Sequence, residues 1–212
     1  MRGPGISPSS TLDPNPGAAM LRVHYILGAA YLALCIMLLR GSASRPEFLP
    51  HPTGTTHIAP ATGEAGAWFA SMKPYCNAVE VETRQRATPP PETLEGLGYS
   101  AGCYALGGKI DLARETIRRV PADQQYKATG IVFALAHPVA DAGDDKSAGP
   151  IMELVLEFWP NHYQARYHAG MSSYILGNAG QARLHLTRFV DEYRQNDGWR
   201  RNAEAVLQRL DN

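Results

Sequence analysis

Three glycines recur at nearly constant intervals in the second half of the chain. Gly108, Gly143 and Gly177 are separated by 35 and 34 residues. An alanine follows each of them five residues later: Ala113, Ala148 and Ala182. From residue 92 onward the apolar residues also follow helical spacing. Because glycine permits a tight turn and alanine lets two helices approach closely, the pattern predicts successive helical hairpins.

Larger apolar residues fall into register when the three segments are aligned on these glycines. They are Ile117, Met152 and Leu186 and, three residues further on, Val120, Val155 and Phe189. A small residue, Ala101 or Gly170, precedes two of the turns, and Pro160 stands where a repeat would close. In these features residues 94–196 resemble the tetratricopeptide repeat, a helix-turn-helix unit of about 34 residues.

The resemblance implies an all-α fold, a tetratricopeptide-like helical-repeat solenoid that occupies about half of the chain. This sequence lacks the family's tryptophan in the first helix, has Pro121 too early, and interrupts the middle repeat at Pro138 and Gly149-Pro150. One helical stripe predicts the C-terminal capping helix that closes such a solenoid: Trp199, Ala203, Val206, Leu207 and Leu210.

Seventeen residues between Arg22 and Arg40 carry no formal charge, apart from the titratable His24. At about 1.5 Å per residue this helix spans roughly 25 Å, enough to cross a bilayer if both arginines extend towards the headgroups. A cleaved secretory signal is the alternative, because residues 41–44 are small. The length of the run and the adjoining Arg40 favour a single transmembrane helix over residues 20–40, with residues 23–39 in the lipid bilayer.

The segments that flank this helix are rich in proline and glycine. Residues 1–19 have too little apolar surface to fold alone, which predicts a tail that is disordered or ordered by a partner. Residues 41–63 predict an extended linker, followed by a helical domain over residues 64–212.

The positive charges on the two sides of the predicted transmembrane helix are equal in number, so they do not determine its orientation in the membrane. A single N-terminal span before a long domain favours the bacterial inner membrane, with the C-terminal domain in the periplasm.

The chain has three cysteines and no CxxC motif, so at most one disulfide can form. Cys35 lies within the apolar run, which leaves Cys76 and Cys103 as the candidate pair. Both lie at similar distances from the Thr88-Pro89-Pro90-Pro91 break, so an antiparallel pair of helices would bring them to one level. Two reduced cysteines in the core are the alternative. A bridge would agree with an oxidising compartment.

Charge and motifs argue against several functional classes. Twenty basic and twenty acidic residues give a net charge of zero, which predicts no nucleic-acid partner. The sequence contains no HExxH, GxSxG, P-loop or GxGxxG motif, so we expect no enzyme, no catalytic residues and no cofactor.

One segment invites a chemical interpretation, the stretch from His137 to Gly149. It gathers several potential metal ligands: His137, Asp141, Asp144 and Asp145. The alternating ligands and distal glutamate of an EF-hand are missing. We therefore expect no bound metal and interpret the stretch as a solvated acidic loop that ends where Pro150 starts the next helix. A metal-dependent hydrolase that uses this loop is a remote alternative.

The resemblance also implies a binding surface, because the family's concave face is lined by particular positions of each first helix. In the glycine register these positions are Phe133, His137, Tyr167, Met171 and Tyr174, with Gln164 at the edge. The set is aromatic and contains no lysine or arginine clamp, which favours an apolar helix or extended peptide as the partner. Packing between repeats is the alternative role for some of these side chains.

Together these patterns favour a non-catalytic, membrane-anchored scaffold that binds another protein in or at the membrane. It would be an accessory subunit or adaptor of a larger complex, with energy-converting assemblies such as photosynthetic reaction centres or respiratory complexes as one setting. A periplasmic assembly or quality-control factor that binds its clients transiently is the alternative.

Overall fold

The computed structural model of the chain describes residues 62–212 and, further upstream, Tyr31, Leu32 and Met37. All regular structure within residues 62–212 is helical, so the predicted all-α class is confirmed for this part. Its α-helices are α1 Gly63–Met72, α2 Val81–Ala87, α3 Leu94–Leu106, α4 Ile110–Arg118, α5 Gln125–Asp141, α6 Asp145–Phe158, α7 Tyr163–Ile175, α8 Ala179–Glu192 and α9 Gly198–Asp211. Short 3-10 helices at Lys73–Tyr75 and Ala122–Gln124 complete the set.

The predicted tail, transmembrane helix and linker fall almost wholly outside the described residues. Tyr31, Leu32 and Met37 are the exceptions within the transmembrane segment, and all three are helical and exposed. Among the described residues, no helix is long and apolar enough to cross a membrane. The contacts divide the chain into two units, Met1–Pro46 and Glu47–Asn212, and α1 to α9 all belong to the second.

Six of the helices form three consecutive hairpins: α3 with α4, α5 with α6, and α7 with α8. The three aligned glycines lie at the turns of these hairpins, with φ of 73°, 90° and 75°. At each turn the glycine N–H donates to a carbonyl three residues back, and the next N–H donates to a carbonyl five residues back. This is the Schellman arrangement, whose left-handed residue is usually glycine because a side chain is strained there.

The aligned alanines and the larger apolar residues pack inside the hairpins. Ala113, Ala148 and Ala182 have no exposed surface, and neither do the larger residues four positions later: Ile117, Met152 and Leu186. The first two hairpins share one core with the start of α7. At the end of the array, α9 packs Ala203 and Val206 against Phe189 and Leu186, as the stripe in the sequence predicts.

The middle hairpin differs from the expected loop between His137 and Gly149. Helix α5 continues through Pro138 to Asp141, and α6 begins at Asp145 rather than at Pro150. Asp144 caps α6 by accepting a hydrogen bond from the Ser147 N–H at 3.1 Å. Gly149 is needed for packing, because a Cβ there would overlap the Ser172 side chain of α7.

A disulfide joins the first helices of the domain to the repeats. Cys76 follows the 3-10 helix and bonds to Cys103 of α3, with the two Cα atoms 4.7 Å apart. Phe69 of α1 stacks on Tyr99 of α3, with ring centroids 4.7 Å apart. These contacts form a second core, which includes Trp68, Met72 and Val81. Helix α1 thus packs on α3 of the first hairpin.

We expect reduction of the Cys76–Cys103 bridge to lower the free energy of unfolding by about 3.5 kcal/mol. The bridge closes a loop of 27 residues, and opening that loop increases the conformational entropy of the unfolded chain. Urea unfolding with and without reductant measures the difference. The Cys76→Ala/Cys103→Ala variant is the control, since its stability should not respond to reductant. Equal stability of the wild type in both buffers would contradict the prediction.

We expect Gly177→Ala to lower the free energy of unfolding by about 1 to 2 kcal/mol, because alanine is strained in left-handed backbone. A Cβ at Gly177 would meet no atom within 4 Å, so the loss reports backbone conformation alone. Gly180→Ala is the matched control, since Gly180 lies in α8 and alanine favours helix there. Equal destabilisation by the two changes would show that the turn conformation is not the cause.

Candidate functional site

The six residues predicted to line a groove are more enclosed than an open binding surface requires. Four of them are buried: Phe133, His137, Gln164 and Tyr167. Phe133 has no exposed surface, and Tyr167 is 7% exposed. Met171 and Tyr174 are half-buried and pack at the edge of the cluster that surrounds Phe189. The structure therefore places the first four within the protein and leaves the last two partly accessible.

The C-terminal helix explains why Tyr167 is enclosed. Trp199, in the first turn of α9, stacks on the Tyr167 ring with centroids 5.0 Å apart and planes at 16°. Asn202, one turn further on, donates a hydrogen bond from Nδ2 to the Tyr167 hydroxyl at 3.4 Å. Helix α9 thus covers the face of α7 that the family register assigns to a partner.

Two buried histidines and two carboxylates meet beside Trp199, and we call them the histidine cluster: His137, Asp141, Asp145 and His168. His137 and Asp141 lie one turn apart on α5, Asp145 begins α6, and His168 lies on α7. Asp141 Oδ1 is 3.3 Å from His137 Nε2 and 3.6 Å from His168 Nε2. The Trp199 ring lies 5.9 Å from the His137 ring and 5.5 Å from that of His168.

Asp145 holds His168 in one orientation, because its Oδ1 is 2.8 Å from His168 Nδ1. An ionised carboxylate can only accept, so His168 Nδ1 donates, and in the neutral ring the lone pair is then on Nε2. This Nε2 and the Nε2 of His137 are both buried, and neither has a hydrogen-bond partner among the described residues. Burial lowers the pKa of His137, while the nearby Asp141 carboxylate partly opposes the shift.

A third histidine, His162, caps α7 from within the core. Its Nδ1 accepts a hydrogen bond from the Ala165 N–H at 3.2 Å, and the residue has no exposed surface. The ring packs between Phe133 and Trp159, at centroid distances of 4.1 Å and 4.7 Å. Burial lowers the pKa of His162 to about 3, with a smaller contribution from the charge of His137. His162 is therefore neutral at physiological pH and supports the site by packing.

Sequence reasoning found part of this cluster. It singled out His137, Asp141 and Asp145, and the spacing of four between the first two indicates a shared helix face. It missed His168, which lies 27 positions beyond Asp141 and meets it only because α5 and α7 lie side by side. Asp144, the remaining residue of the predicted set, caps α6 instead and takes no part in the cluster.

We expect the pKa of His162 to make the domain unfold more easily in acid. Between about pH 6.5 and pH 3 the unfolded chain binds a proton that the folded protein excludes, so stability falls as the pH falls. From pH 6.5 to pH 4.5 this histidine should cost about 2 to 3 kcal/mol. His162→Asn keeps a capping acceptor and removes the titration. Urea unfolding across this range should show a shallower pH dependence in the variant, and an unchanged slope would contradict the assignment.

Comparison with known proteins yields no relative for this arrangement. No protein-family model, curated protein or solved structure matches the chain. The site is accordingly defined by its own atoms: two imidazole nitrogens that lie 3.3 Å and 3.6 Å from one carboxylate oxygen, beside the indole of Trp199.

Proposed function

We propose that the protein is a non-catalytic, membrane-anchored scaffold of the tetratricopeptide-like kind, which binds another protein as an accessory subunit or adaptor of a larger membrane complex. The observation that supports this most directly is the repetition of one hairpin geometry. Three hairpins share a left-handed glycine at the turn and a fully buried alanine five residues later. Arrays of this kind stack into extended surfaces that other repeat proteins use to bind partners.

We place the partner on the surface at the C-terminal end of α7. It carries four apolar residues, which we call the α7 end patch: Met171, Tyr174, Ile175 and Leu176. Ile175 and Leu176 are 53% and 56% exposed, so more than half of each is in contact with solvent. Met171, Tyr174 and Ile175 follow helical spacing and lie on one face. An apolar helix or extended peptide would bury this patch.

Two further observations support the membrane anchor and the proposed position of the C-terminal domain in the periplasm. Tyr31, Leu32 and Met37, within the uncharged run, are helical and between 62% and 73% exposed. Large apolar side chains in that position suit contact with lipid. The Cys76–Cys103 disulfide suits an oxidising compartment, which agrees with a periplasmic C-terminal domain.

We expect substitution of the α7 end patch to release the partner without unfolding the protein. Full-length wild type and the Ile175→Gln/Leu176→Gln variant are extracted from native membranes in mild detergent, and co-purifying proteins are quantified by mass spectrometry. A constant partner at fixed stoichiometry should accompany the wild type and be lost from the variant. Both residues are exposed, so the unfolding temperature should stay within about 2 °C of wild type.

Leu184→Gln is the matched control, because Leu184 is 60% exposed on α8 and lies outside the patch. This variant should retain the partner at wild-type yield. Loss of the partner from both variants would contradict the placement on α7, and recovery of the wild type only as a free monomer would contradict the subunit role. Several substoichiometric clients would instead favour the periplasmic assembly factor.

A further inference from the structure

Three potential metal ligands converge in the histidine cluster. They are His137 Nε2, Asp141 Oδ1 and His168 Nε2, and one ligand atom of each residue lies within 4.8 Å of the others. Both histidines are more than nine-tenths buried, at 8% and 3% exposure. Their Nε2 atoms lie 3.3 Å and 3.6 Å from the same carboxylate oxygen, Asp141 Oδ1.

When both imidazoles are neutral, no positive charge lies between the three ligand atoms. Asp145 Oδ1 accepts the hydrogen bond from His168 Nδ1–H, so in the neutral ring the lone pair is on Nε2, 3.6 Å from Asp141 Oδ1. Neither Nε2 finds a hydrogen-bond partner within the described part of the chain. A buried lone pair opposite a carboxylate oxygen is unfavourable, and burying such a group without a partner costs about 1 to 3 kcal/mol. A cation between the three atoms would satisfy all of them.

We propose that His137 Nε2, Asp141 Oδ1 and His168 Nε2 bind one divalent cation of the zinc class. Zinc ligands lie about 2.0 to 2.2 Å from the metal, which sets neighbouring ligand atoms about 3.3 Å apart in a tetrahedral site. The two distances to Asp141 Oδ1 are close to this value. Two imidazoles and one carboxylate suit zinc and its transition-metal neighbours, whereas Ca²⁺ and Mg²⁺ prefer sites made of oxygen alone.

The surroundings of the three ligands are also those of a metal site. Asp145 fixes the His168 ring from behind, the carboxylate-histidine arrangement that commonly orients a metal-bound imidazole. Phe133 stacks on the His137 ring at 4.6 Å, and Trp199 covers both imidazoles. The side chain of Asp141 is 51% exposed, so a cation can enter from that side and keep a water as its fourth ligand.

A cation at this position would link separate parts of the array. Its ligands come from α5 and α7, the first helices of the second and third hairpins, and the supporting carboxylate comes from α6. The metal would therefore fix the angle between these hairpins and the position of Trp199 on α9. The role of the cation would be structural, and such a role is compatible with a scaffold that carries out no reaction.

The test uses tag-free, full-length protein from which EDTA has removed bound metal. ZnCl₂ is titrated into this protein, and binding is measured by isothermal titration calorimetry. We expect one Zn²⁺ per chain, a higher unfolding temperature in its presence, and no binding of Mg²⁺. His168→Asn and Asp141→Asn should each weaken binding by about 100-fold or more. Asp145→Asn, which removes the support of His168, should weaken it by about 10 to 100-fold.

Two controls match these variants closely. Asp144→Asn changes the neighbouring carboxylate but keeps a helix cap, and His185→Gln changes another buried histidine, which pairs with Glu153. Both should bind zinc as the wild type does. Circular dichroism checks that each variant is folded. If His168→Asn fails to fold, Asp141→Asn still tests the proposal, because the Asp141 side chain is half-exposed and its substitution should leave the fold intact. Absence of saturable binding, or equal binding by wild type and Asp141→Asn, would overturn the proposal.

Discussion

The close contact between the two helices of each hairpin is the constraint on which the rest of the domain depends. It requires a residue no larger than alanine at Ala113, Ala148 and Ala182, where no surface is left exposed. The turn that precedes each alanine is so short that one residue adopts left-handed backbone. Because all three hairpins share this geometry, their first helices lie side by side. Histidines on α5 and α7 meet for that reason, although 31 positions separate them.

The features that the sequence predicted well are local ones. A glycine in left-handed backbone, the alanine five residues later and the apolar residue after it all act within one hairpin, so their spacing carries the information. The same holds for the stripe on α9, whose members Ala203 and Val206 are buried.

The candidate site depends on contacts between elements, and spacing alone does not reveal these. The groove positions follow from the tetratricopeptide resemblance, which implies that the face of α7 is open. The helical spacing places Trp199 in the apolar stripe of its own helix, yet it also covers Tyr167, because α9 packs on α7 at that level. The acidic residues after His137 predict a solvated loop that ends where Pro150 starts the next helix, whereas helix α5 extends into this segment. Pro138 lies near the end of α5, where its missing N–H removes a single helical hydrogen bond, so the helix continues to Asp141.

The disulfide has a mechanical consequence for a protein whose N-terminal segment is a proposed anchor. Any tension applied to the chain upstream of Cys76 reaches Cys103 directly through the covalent bridge. Helix α2 and the proline-rich stretch that follows it, residues 88–91, lie inside the closed loop, so the covalent path between the two cysteines bypasses them. The pulling force enters the array at α3, which packs against both α4 and α5. The bridge would therefore act as a tether that transmits force to the repeats while it protects the segment between the two cysteines from being stretched.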